Sequence, residues 1–205
     1  MSKFPFIPAN AISIAARSKV CGVGINDADY LVQPIVNGKK IRCPIYTMWS
    51  SMILRCYDPK YISRFSTYDN CIVDERWHSF MCFREWVLSQ PSYIGLDLDK
   101  DLLYPNNKVY SPDRCILVPH LVNVFLCNKR TNNSGNQIGV SKTRLGYVAE
   151  VSLLGKGRWR SHTVYSIEEA VDLYWKKKGE LAIELAGLQS DKRIADALLR
   201  LFNHK

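Results

Sequence analysis

Residues 128–137 read NKRTNNSGNQ, ten in a row without an apolar side chain. Such a run has nothing to bury, so it fits neither a half-buried strand nor an amphipathic helix. It divides the chain into two stretches that must each build a core of their own. At 205 residues there is room for two small domains.

Before the gap, residues 1–20 read as an arm or a short helix, broken by Pro5 and Pro8 and lacking the long apolar run of a signal peptide. IVNGKKIRCPIY carries an Asn-Gly turn between short apolar runs, the mark of a hairpin. In YTMWSSMILRCY, Tyr46, Trp49, Ile53 and Cys56 fall on one helical face with Met52 beside them, and Asp58-Pro59 ends the helix. A polar loop is expected over 58–70. CIVDERWHSFMCFREWVLSQP then begins as a strand and becomes an aromatic helix that Pro91 stops, with Trp77, Phe80, Met81, Phe83, Trp86 and Val87 on its packing face. GLDLDKDLLYPNNKVYSPDRCILV reads as two strands around a polar turn, and HLVNVFLCNK as a helix with Leu121, Val122, Phe125 and Leu126 inward.

After the gap, GVSK, GYVAEVSLL and WRSHTVY read as three strands, the last two joined by GKGR. In SIEEAVDLYWKKKGE, Ser166 is placed to cap a helix, with Glu169 three residues on. A last helix, about 189–202, carries Ile194, Leu198, Leu199 and Phe202 on one side. The expected organisation is an arm and hairpin (1–43), a first domain (44–130), a strand-and-helix domain (138–180) and a helical tail (181–205). The fold class is α+β.

Charge and cysteine content narrow the functions. Twenty-eight Lys and Arg against nineteen Asp and Glu give +9, and residues 129–165 hold seven basic residues with Glu150 as their one acid. Concentrated positive charge favours a polyanionic partner, against the plainer reading of a solvated basic face. No run approaches a membrane span. Seven scattered cysteines without a CxxC pair read as reduced, mostly buried thiols, and no zinc is expected.

The first domain resembles the HNH endonucleases carried by phages. The likeness rests, in order, on WSSMILRCYDP, on CIVDERWHSFMCFREW, and on LDKD followed by NNKVYSPDRC and ILVP. It covers roughly residues 44–130 and implies a ββα finger in which an aspartate and a second ligand hold one divalent ion while a neighbouring histidine activates water. By that likeness Asp99 matches the metal-binding aspartate and Asn123 the third position of the motif. Lys100 stands where the general-base histidine is expected, and Arg114 where an asparagine is. Lysine is a poor base near neutrality and arginine cannot bind a metal. His78, His120, His162 and His204 offer no conventional replacement. Two readings stay open. The finger has lost catalysis, and Lys100 and Arg114 contact DNA phosphates. Alternatively, Asp99 and Asp101, with Asp97 on the same alternating face, hold Mg2+ weakly through water.

Residues 138–178 resemble an AP2-type DNA-binding domain, on Gly139-Val140, Tyr147-Val148-Ala149-Glu150-Val151 and Glu168-Glu169-Ala170-Val171. His162 stands where that family has a glycine. The resemblance implies a sheet laid in the major groove. The resemblance points Glu150 and Ser152 toward DNA, and strand alternation puts the two on one face, with Lys142, Arg144, Arg158 and Arg160 as a positive rim and Trp159 packed toward the helix. Together the two likenesses imply a phage-type protein that binds double-stranded DNA in the bacterial host cytoplasm, with little or no cleavage. The alternatives are a working homing endonuclease and a phage module that binds a host or phage protein.

Overall fold

The computed structural model describes residues 4–126 and 139–202. The polar gap at 128–137, Cys127 and His204 lie outside them. The fold is mixed α+β and divides into two compact units, Met1–Leu117 and Val118–Lys205.

The first unit starts with an arm that is tied down rather than loose. Ala9 N donates to Asp29 O and Leu31 N to Ile7 O, at 2.9 and 2.8 Å. Asn10 caps the short helix α1 (Ala11–Ala15). Arg17 Nη1 donates to the carbonyls of Asn26 and Ala28, and its Nη2 to that of Tyr30, pinning residues 26–30. Strands β1 (Ile35–Val36) and β2 (Lys39–Lys40) form the expected hairpin. Asn37 and Gly38 both have positive φ, 50° and 74°, as the tight turn between twisted strands requires.

Helix α2 (Pro44–Tyr57) buries Ile45, Trp49, Met52, Ile53 and Cys56, the predicted stripe with Ile45 in place of Tyr46 at its start. The chain does not pass from there into a loop. Asp58 accepts hydrogen bonds from Lys60 N and Tyr61 N and starts α3 (Pro59–Arg64), which a 3-10 turn at Ser66–Tyr68 follows. The Asp-Pro pair that ends one helix is also a capping residue followed by the proline favoured at a first helical position.

Strand β3 (Ile72–Val73) leads through a 3-10 turn at Glu75–Trp77 to α4 (Phe80–Ser89), capped by Ser79. The helices α2 and α4 pack through Trp49, Trp77, Phe80 and Phe83, all 1% exposed or less. Trp77 meets Phe83 and Trp86 edge-on, at 5.0 and 4.8 Å between ring centroids. The indole N–H of Trp49 donates to Trp77 O, at 2.8 Å, so this large buried group leaves no polar atom unsatisfied. Strand β4 (Leu96–Asp99) follows. Strand β5 (Val109–Tyr110) pairs in parallel with β3, and β6 (Ile116–Pro119) pairs with β4.

The second unit holds α5 (His120–Leu126), three antiparallel strands β7 (Val140–Thr143), β8 (Gly146–Ser152) and β9 (Arg158–Arg160) in that order, and helices α6 (Ile167–Gly187) and α7 (Lys192–Phe202). The strands and helix expected over 138–180 are present. Ser166 caps α6 by accepting from Glu169 N. Two boundaries differ from those expected. Helix α5 groups with this unit, and Phe125 packs on Phe202 at 5.2 Å. Helix α6 runs seven residues past 180, because ELAIELAG continues in strong helix formers. Its first half packs on the sheet through Ala170, and its second half buries Leu181, Ala182 and Leu185. Leu121, expected inward, is part-exposed at 37%.

Candidate nucleic-acid interface

The turn after β4 holds the residues matched to the finger. Asp99 closes the strand, and its Oδ1 accepts from the backbone N–H of Asp101 and Leu102, at 2.8 and 2.7 Å. The carboxylate thus caps a bend. Burial raises its pKa despite those two bonds. Because the strand ends at Asp99, Asp101 lies in the bend, and the co-facial series 97, 99, 101 expected from alternation does not form.

Lys100 is 6% exposed. Its ammonium donates to both Asp101 oxygens, at 2.8 and 2.6 Å, and to Asn107 O at 2.7 Å. It is tied into the loop and does not project as a phosphate contact. Asn107 is the centre of this loop. Its amide donates to the carbonyls of Lys100 and Val109, and its Oδ1 accepts from Val109 N and from Arg114 Nη1. Arg114 is otherwise exposed. In the sequence Asn107 is one member of a polar turn, and nothing in YPNNK separates it from Asn106, whose φ of 62° marks the true turn-former.

These donors fit a hard cation poorly. One Asp99 oxygen is committed to the bend, and the Asp101 carboxylate is matched by an ammonium at 2.6 Å. Asn123, the third matched position, lies half-buried on α5. Among the described residues no group of three or more His, Cys, Asp and Glu side chains is placed to hold a metal ion. His78 is structural, its Nε2 3.1 Å from Val73 O, while His120 and His162 are exposed in the second unit.

The sheet of the second unit gives a different picture. Glu150 stands across from Arg160, Ser152 from Arg158, and Ser141 from Val148, so these six share one face. The other face holds Val140, Tyr147, Ala149, Val151 and Trp159 and meets α6. Lys177 of α6 lies over the Trp159 ring at 5.9 Å, in line with the expected inward packing of that residue. Lys142 stands across from Tyr147 and so belongs to the helix-side face, exposed at its margin, while Arg144 sits in the β7–β8 turn.

On the open face, Arg158 and Arg160 are 70% and 59% exposed. The Glu150 carboxylate lies between them, 3.6 Å from one guanidinium and 3.8 Å from the other. It holds both cations side by side while cancelling one charge. Val148 shares this face yet is buried, which alternation in GYVAEVS did not predict. Compared with protein-family models, curated proteins and solved structures, the chain finds no match in any of the three.

Proposed function

We propose that this chain binds double-stranded DNA through the open face of β7–β8–β9 and cleaves it slowly or not at all, as its likeness to HNH endonucleases with a degenerate finger and an AP2-like domain implies. The observation that carries the reading is the placement of Arg158 and Arg160, exposed and adjacent on the sheet face that points away from α6. Guanidinium groups so held suit phosphate oxygens, and arginine bonds them through a fork of donors. A net charge of +9 adds long-range attraction. Slow or absent cleavage is supported by Lys100, whose ammonium is occupied inside the loop where a general base would be needed.

The test is a fluorescence-anisotropy titration of a labelled duplex at several salt concentrations. Replacing Arg158 and Arg160 together with alanine should weaken binding and flatten the salt dependence by about one unit for each phosphate that the pair neutralises. Unchanged affinity rejects the face. Plasmid nicking with Mg2+, Mn2+ or Ni2+ should stay near background. Robust cutting that disappears in Asp99→Ala would instead identify a working nuclease. Weak, salt-insensitive DNA association would favour a host or phage protein as the partner.

A further inference from the structure

Beside the open face lies a cleft of about 650 Å³ within the second unit. Its size falls in the range of small-molecule sites, roughly 300–1,000 Å³. Leu121, Val124 and Phe125 of α5 form one side. Tyr174 and Lys178 of α6 are in its wall, and Val151 and Leu154 add apolar surface. Ser141, Glu150, Ser152 and Arg158 line it as well, so the cleft and the arginine face share four residues.

We infer that this cleft receives a nucleotide, a flat heterocycle carrying a phosphate. Leu121 and Val124, 37% and 53% exposed, supply open apolar surface for a ring, backed by the buried Phe125 and Tyr174. The two serines and Glu150 supply hydrogen-bonding groups of both kinds, such as a base edge requires. Arg158, exposed at the margin, supplies the phosphate contact. A fatty chain would leave those polar groups facing hydrocarbon, and a simple anion would leave the apolar wall wet.

The wall is built to stay open at this size. Gly139 has φ +76°, and a Cβ there would run into the Tyr174 ring. The backbone therefore presses directly on that ring and fixes its position. Lys178, 7% exposed, donates to Phe125 O at 2.6 Å and lies 3.7 Å from the centre of the Phe125 ring, which holds the other aromatic in place.

A nucleotide reaches such a cleft from two sources, as a base turned out of a bound duplex or as a free mononucleotide. The first rests on the DNA-binding reading above and the second does not. Turning out a base costs a few kcal/mol, which stacking and edge contacts in a fitted pocket offset.

The experiment has two arms, each run on the full chain and on Val124→Trp, which fills the cleft from a position 53% exposed and away from the sheet. Circular dichroism checks the fold of the variant. In the first arm the four deoxynucleoside 5′-monophosphates are titrated and followed by saturation-transfer NMR. At least one should bind, and Val124→Trp should weaken it at least ~10-fold. In the second arm a duplex carrying 2-aminopurine at successive positions is bound. Emission should rise several-fold at one position, and Val124→Trp should abolish the rise while the duplex still binds by anisotropy. A signal in either arm that Val124→Trp removes supports the cleft and names its source. A signal that survives the variant, or silence in both arms while the duplex still binds, overturns the cleft and leaves the DNA-binding reading standing. Mononucleotide binding without duplex binding does the reverse. Absence of all binding overturns both.

Discussion

At the scale of single residues, Lys100 shows how a substitution in a motif becomes part of the framework. Its ammonium joins Asp101 to Asn107 O from a nearly buried position. Lys100→Met removes both links and leaves that buried carbonyl without its donor, which should lower stability by about 2 kcal/mol. Urea denaturation checks this. Lys100→His, too short to make both contacts, should lose stability as well and gain no nicking activity.

The cysteines divide in the same residue-by-residue way. Burial pushes the thiols of Cys56 and Cys115 up to about 12, so neither reacts near neutrality. Cys82 is exposed. A native-state thiol titration should lose one fast-reacting equivalent in Cys82→Ser and none in Cys115→Ser. Buried, reduced thiols were legible from composition for four of the six described cysteines. The exposure of Cys82 was not, because it depends on which turn of α4 faces outward.

Among elements, the short links carry testable chemistry. The carboxyl of Asp74, which caps the 3-10 turn before α4, is lowered to about 2, first by its hydrogen bond to the Arg76 guanidinium. An acid depressed on folding adds stability above its unfolded pKa of about 3.9, and that stability is lost as pH falls through the folded value. Asp74→Asn should therefore melt lower than the wild type at pH 7, with the gap closing toward pH 2. Gly139, at the entry to β7, belongs to the same class. Gly139→Ala meets both a positive φ and the Tyr174 ring, and a calorimetric scan should show at least ~1 kcal/mol of destabilisation.

Elements with strong periodicity were readable in advance. The stripe of α2, the Asn-Gly hairpin and the Ser166 cap all stand where their residues indicated. Helix α3 was not, because a lone Asp-Pro signals an ending and a beginning alike, and YISR is too short to show a period. The Asp99 bend escaped for a related reason. Alternation predicts a face only while the strand lasts, and the length of β4 is set by the side-chain bonds of Asp99 itself.

For the whole molecule, charge is the feature most open to measurement. Lys142, Arg144, Arg158 and Arg160 are four cations on one sheet and its turn. If all four meet phosphates, the logarithm of affinity falls with that of salt at a slope of roughly −3.6, about a 100-fold loss between 50 and 200 mM. A slope near −2 would confine binding to Arg158 and Arg160, consistent with Lys142 lying on the other face. The location of the basic region was plain from composition. Its division between two faces depended on register, which only the fold supplies.

The length of α6 bears on how such a chain can be inherited. The helix is a single rod of 21 residues, about 31 Å long, bearing the sheet at one end and α7 at the other. A recombination event that joined foreign sequence at residue 180 would cut the rod between its two loads and strip Leu181, Ala182 and Leu185 from their burial. A three-stranded sheet joined to other sequence there should melt lower than one that keeps the whole rod and α7.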